Sequence, residues 1–155
     1  MSTRRLLNRV ASASRLSIAT LREHELKFHK IGSVDRSAKC DAAETGNPDH
    51  FVIGVVFDIS ESDKPLLDQK EGLGHGYEIK NVSIELSDGT RIEAFTYYAT
   101  HIDPDLKPFH WYKEHVVRGA RENGFPDEYI QVIESIDSVS DPDNARHETE
   151  LGIYC

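Results

Sequence analysis

One carboxylate in this chain is placed for chemistry. In the segment Leu66 to Tyr77, LLDQKEGLGHGY, Glu71 ends a helical pattern immediately before a glycine-rich turn. A glutamate held there, out of water, can take and return protons as a general base and then a general acid. The turn glycines Gly72, Gly74 and Gly76 supply the positive φ and close backbone approach that a tight return into the next strand requires.

Other chemistries find less support. The closest histidine pairs, His110 with His115 and His24 with His29, are five residues apart and do not stack on one helix face. Neither has an acid or cysteine at a familiar ligand spacing, so no metal site is expected and these histidines read as solvated surface groups. EGLGHG precedes a strand instead of opening a helix and lacks a following Lys-Ser/Thr, which argues against a nucleotide loop. Ser60, Ser83 and Ser87 have no nucleophile-elbow context. Cys40, in AKCDA, reads as an incidental loop cysteine.

The elements that must position Glu71 follow from periodicity. FVIGVVFDIS is an apolar run rich in β-branched residues, the pattern of a buried strand over Val52 to Asp58. A helix follows over Ser60 to Lys70, with Ser62 the better N-cap because Pro65 would clash if the helix began at Ser60. Tyr77 to Leu86 and Arg91 to Thr100 alternate around Asp88-Gly89, a strong antiparallel hairpin signal. Upstream, STRRLLNRV predicts a short amphipathic helix, and RLSIATL and ELKFHK predict two half-buried strands, with Leu16, Ile18, Leu26 and Phe28 facing one way. Ile31 to His50 reads as a long polar loop or irregular hairpin. Phe109 to Asn123 returns to helical spacing with Gly124 as its stop, and Pro126 opens another helix through Tyr129, Val132, Ile133 and Ile136. Beyond Asp137 the chain is acidic and expected to be poorly ordered. The division is therefore a domain over 1–136 and a flexible tail over 137–155.

With 155 residues and a formal charge of −9, the chain suits one domain and lacks the cationic surface that phosphate-backbone binding needs. No apolar stretch approaches the roughly 20 residues of a membrane span. Two cysteines, Cys40 and Cys155, offer no disulfide framework, which fits a reducing cytoplasm. Met1 to Leu21 contains four arginines and no acid, a composition shared with mitochondrial transit peptides, although it runs directly into strand-like alternation.

LLDQKEGLGHGY, preceded by VIGVVFDIS and followed by Tyr112 and GARENGFPDEY, resembles the γ-glutamylcyclotransferase (AIG2-like) family over roughly Met1 to Ile136. The resemblance implies an α+β fold, a small mixed β-barrel flanked by helices. It also implies an enzyme that splits γ-glutamyl amino acids, peptides or amines into 5-oxoproline and a free amine, with Glu71 catalytic and Met1, Gly72, Tyr77 and Tyr112 around the substrate. No cofactor or metal is needed. The expected partner is a small γ-glutamyl molecule, with neither nucleic acid nor membrane, and a homodimer is compatible with this reading.

One departure matters. The family begins with a strand and a loop of tyrosine, glycine, serine and asparagine, then leucine or methionine, whose N–H groups hold the substrate carboxylate. Met1 occupies the last of those positions. Three readings stay open: a start further upstream, a noncatalytic ligand-binding or interaction protein of the same fold, or another segment or subunit filling the gap.

Overall fold

The computed structural model describes residues 3–7 and 9–154; Met1, expected beside the substrate, lies outside them. The chain runs α1 (Thr3–Leu7), β1 (Ser14–Arg22), β2 (His24–Ile31), β3 (Ala38–Glu44), β4 (Phe51–Asp58), α2 (Lys64–Glu71), β5 (Tyr77–Leu86), β6 (Arg91–Ala99), α3 (His110–Glu122), α4 (Asp127–Ser135) and α5 (Asn144–Gly152). A four-stranded sheet has the order β4-β1-β5-β6, and β2 and β3 form a second, two-stranded sheet. All of these ladders are antiparallel. Because β3 lies against β6 and β2 against β4, the second sheet curls over the first and the whole is a half-barrel flanked by helices.

The chain turns from one sheet into the other at Glu23, a single left-handed residue (φ 61). Its N–H donates to the His50 carbonyl at 2.8 Å, and its own carbonyl accepts from Thr45 and Gly46. That corner fixes where β2 leaves the plane of β1. The β5–β6 hairpin forms around Asp88-Gly89 as the spacing predicts, pairing Tyr77 with Ala99 at one end and Glu85 with Arg91 at the other.

The core has two parts. Phe28 and Ala38 from the small sheet pack against Val117 and Ala120 of α3 and Ile130 and Ile133 of α4. Ile133 is only 1% exposed, so its side chain alone stabilises the domain by roughly 1.5–3 kcal/mol. The second cluster joins Leu6, Val10 and Ala13 to Leu67 of α2, seating α2 against the N-terminal segment. No helix among the described residues is long and apolar enough to cross a membrane.

Several expectations are corrected. Residues 38–44, within the stretch read as a long loop or irregular hairpin, form the strand β3, which pairs with β2 across a register shift, with Phe28 opposite Cys40 and Leu26 opposite Ala42. Neither Ser60 nor Ser62 caps α2; a 3-10 turn over Glu61–Asp63 leads in, Asp63 stands at the cap without a side-chain bond, and Pro65 falls in the first turn, where its missing N–H costs nothing. His24 and His115 are buried, not solvated. His115 lies between the Tyr154 hydroxyl (2.7 Å) and Glu150 (3.0 Å).

The acidic tail is packed. Val139 exchanges backbone bonds with Pro108 and His110. Asp141, whose side chain is fully shielded, then receives Arg146 Nη2 at 2.5 Å, Arg146 Nε at 2.6 Å and the Trp111 indole N–H at 2.8 Å. Asp143 caps α5 by accepting from the Arg146 backbone at 3.0 Å. Periodicity could not show this, because α5 docks through polar anchors.

Arg146 holds the Asp141 carboxyl well below the usual carboxylate range, against the opposing effect of burial. A carboxylate with a depressed folded pKa contributes stability above its unfolded value near 3.9, and that contribution is lost as pH falls through the folded value. Asp141→Ala also leaves the buried Trp111 N–H without an acceptor, at about 1–3 kcal/mol. Urea unfolding is expected to show that loss at pH 7, and a shallower decline in stability for the variant than for wild type as pH drops below about 4.

Candidate active site

Glu71 is the last residue of α2, and the way that helix ends determines where its carboxylate points. Gly72 follows in the left-handed conformation (φ 79). The Leu73 N–H reaches back to the Asp68 carbonyl at 2.9 Å and the Gly72 N–H to that of Gln69 at 3.2 Å, a closure that needs a residue without a Cβ penalty. The chain then returns as β5 within a few residues. Gly72 thus acts as a backbone hinge, and the structure brings it beside Glu71 through the chain alone.

A cavity of about 900 Å³ opens between the curled sheet and the helices, and Glu71, Tyr77 and Tyr112 all line it. The Glu71 side chain is 18% exposed, and its Oε1 accepts from Arg9 Nη1 at 3.0 Å. Among the described residues no hydrogen bond reaches Oε2. One oxygen is therefore fixed in place while the other stays available, which is the arrangement a proton relay requires.

Tyr77 and Tyr112 are brought together, but on a shared task. The Tyr112 hydroxyl accepts from the Cys40 N–H at 3.0 Å, and the Tyr77 hydroxyl donates to the Cys40 carbonyl at 2.6 Å. Burial pushes both phenols above their ordinary pKa, so they remain protonated. Cys40 itself is half-buried, and its thiol is pushed up to about 12 by desolvation; no thiolate chemistry is available there.

Three contributors were not singled out from sequence. Arg9 pairs with Glu71 across 62 positions of chain, a separation that local patterning cannot reveal. Tyr97 of β6 donates to Asp68 Oδ1 at 2.5 Å, anchoring the last turn of α2 from the opposite wall. Asp41 of β3 accepts from the Ala99 N–H at 2.9 Å and meets His29 Nε2 at 2.9 Å. Among the described residues no group of three or more His, Cys, Asp and Glu side chains is placed to hold a metal ion.

Known proteins resemble this chain in sequence and fold. Residues 51–133 match a model of the AIG2-like family. The γ-glutamylcyclotransferase of Bos taurus is 30% identical over 138 residues, covering 87% of this chain and 73% of that protein; that of Homo sapiens is 29% identical with the same coverage. A solved structure described as a γ-glutamyl cyclotransferase superposes with a TM-score of 0.87 at 25% identity, over 99% of this chain and 92% of that one. The matched region holds the strand, the helix ending in Glu71, the glycine turn and both tyrosines, and on that match the chain belongs to the AIG2-like family, with γ-glutamylcyclotransferases among its relatives.

Proposed function

We propose that this chain is a γ-glutamylcyclotransferase, releasing 5-oxoproline and a free amine from γ-glutamyl amino acids, peptides or amines. The observation that carries the reading is the Glu71 carboxylate, sheltered in a cavity of about 900 Å³ with one oxygen held by Arg9. In the reaction the α-amine of the glutamyl unit attacks its own δ-carbonyl carbon. A new C–N bond closes a five-membered lactam, the original amide C–N bond breaks, and the departing nitrogen takes a proton. Glu71 Oε2 accepts that proton from the attacking nitrogen and passes it to the leaving one.

Because both reacting groups belong to one molecule, holding them in the ring-closing conformation supplies much of the acceleration; effective molarities on the order of 10⁵–10⁸ M are known for well-held intramolecular reactions. The apolar walls from Ile53, Val55, Phe57 and Ile84 favour that compact conformer and exclude competing water. A second reading, a ligand-binding protein of this fold without catalysis, is favoured by the commitment of both tyrosine hydroxyls to the Cys40 backbone, which leaves fewer groups to orient a substrate.

Glu71→Gln is expected to lower 5-oxoproline release from γ-glutamylalanine by about 10²–10⁴-fold. Its unfolding free energy should move by less than about 1 kcal/mol, since the Arg9 pair is partly open to solvent. Turnover equal to wild type refutes the enzyme assignment.

The tyrosines are expected to behave in the opposite way. Tyr112→Phe and Tyr77→Phe each leave one part-buried backbone group of Cys40 without its partner, so each should cost about 0.5–1.5 kcal/mol in chemical denaturation. Wild-type midpoints in both variants would show that these hydroxyls do not pin β3.

A further inference from the structure

One charge in the half-barrel has neither a hydrogen bond nor an ion pair from any described residue. Lys30 follows Leu26 and Phe28 on the inward face of β2 and is 5% exposed. The ladder shifts register just there, Phe28 pairing with Cys40 and Lys30 with Lys39, and such irregularities are the usual means by which a strand re-aims a side chain. Lys30 lines the same cavity as Glu71. Its ammonium lies over the Tyr77 ring, 4.8 Å from the centroid.

Seven polar or charged side chains are buried among the described residues, and six have partners. His24 meets the Arg22 carbonyl, Ser37 bonds Asp35, Asp41 meets His29, His115 meets Glu150, Asn123 takes Arg15, and Asp141 takes Arg146. Lys30 is the exception: no described residue gives it a hydrogen bond or an ion pair. The neighbouring acids are already committed, Asp35 to Lys39 at 2.7 Å and Glu71 to Arg9 at 3.0 Å. Burial and Lys39 press Lys30 toward its neutral form, opposed by the fields of Asp35 and Glu71.

The backbone also makes room for it. A Cβ at Gly76, where φ is 105, would stand 3.0 Å from Lys30 Cε and 3.3 Å from Nζ. An ammonium that faces a cavity, with no acid bonded to it among the described residues, adds no ion pair to the fold, and it is open to a ligand that enters the same space.

We infer that Lys30 is a carboxylate-binding subsite, its ammonium taking a carboxylate of the ligand that enters the Glu71 cavity. This rests on reading the cavity as a γ-glutamyl site. A γ-glutamyl amino acid offers two such groups, the α-carboxylate of the glutamyl unit and the terminal carboxylate of the departing residue. Either supplies the counter-ion that no described residue provides. The Tyr77 ring below Nζ fixes the ammonium from one side by cation–π attraction, and a strong charge-assisted hydrogen bond to the ligand completes it. Lys30 touches no reacting bond; it holds the substrate in register with Glu71.

The test uses N-glutarylalanine, the desamino analogue that cannot cyclise, and its C-terminal amide, titrated calorimetrically into wild type and Lys30→Met. Methionine keeps the stem without the charge. The expected result is a loss of about 10- to 100-fold in affinity for the acid, with a melting temperature no lower than wild type, because the substitution breaks no hydrogen bond or ion pair with a described residue. If the amide binds wild type as weakly as the acid binds Lys30→Met, the terminal carboxylate is the one held. If acid and amide lose affinity equally on substitution, it is the α-carboxylate.

Equal affinity in the two proteins, no measurable binding to wild type, or a lost affinity accompanied by a lowered melting temperature each overturns the subsite. Failure of the enzyme reading looks different. Lys30-dependent affinity without 5-oxoproline release from γ-glutamylalanine keeps the subsite and removes the catalysis, and release with Lys30-independent affinity does the reverse.

Discussion

A two-stranded sheet has two outer edges, and this fold depends on how the outer edge of β3 is satisfied. Unpaired N–H and C=O groups inside a protein cost about as much as a lost hydrogen bond each, and β3 meets no further strand in a ladder. Side chains take the place of one. Tyr112 from α3 covers the Cys40 N–H, Tyr77 from β5 covers the Cys40 carbonyl, and Asp41 of β3 takes the Ala99 N–H of β6. These bonds tie the small sheet to a helix and to both strands of the hairpin, and so close the half-barrel. They also fix the start of β5, which fixes the far end of the turn that leaves Glu71.

That division of labour explains which parts of the molecule can be read from sequence. β4, the β5–β6 hairpin and α3 announce themselves because their apolar periods are matched by local turn and stop chemistry, Asp88-Gly89 and Gly124 in particular. β3 does not. Its sequence, AKCDAAE, has low β-propensity and no strict alternation, and it is a strand because β2 is opposite and because two tyrosines and an aspartate use its outer edge. The same holds for the tail, where Asp141 is buried against Trp111 of α3 and Glu150 and Tyr154 in turn meet the buried His115 of α3. Burial of polar side chains through long-range pairing leaves no periodic trace.

At the site, the legible residue is the one whose position is set by local structure. Glu71 is fixed by the end of α2 and by Gly72, both written in one short segment. Arg9 is not legible, since it reaches Glu71 only after α1, α2 and β4 have packed through Leu6, Val10, Leu67 and Phe57. Lys30 has a faint signal: Leu26 and Phe28 set the inward face of β2, and a lysine at the next inward position breaks the apolar pattern without a nearby acid in register to balance it.

The charges in the cavity follow from the same economy. A carboxylate and an ammonium sharing one low-dielectric space would be expected to pair with each other, yet Glu71 is bonded to Arg9 and Lys30 lies over an aromatic face. Direct pairing would satisfy both charges and leave neither for a ligand. Keeping them apart costs stability, but it sets two points of opposite sign within a single cavity. A molecule that carries both a carboxylate and an amine can bridge two such points in only one orientation, with its acid toward Lys30 and its nitrogen toward Glu71. In that orientation the ion pair with Lys30 supplies binding energy away from the reacting bond, and Oε2 of Glu71, which no described residue bonds, meets the proton that must move.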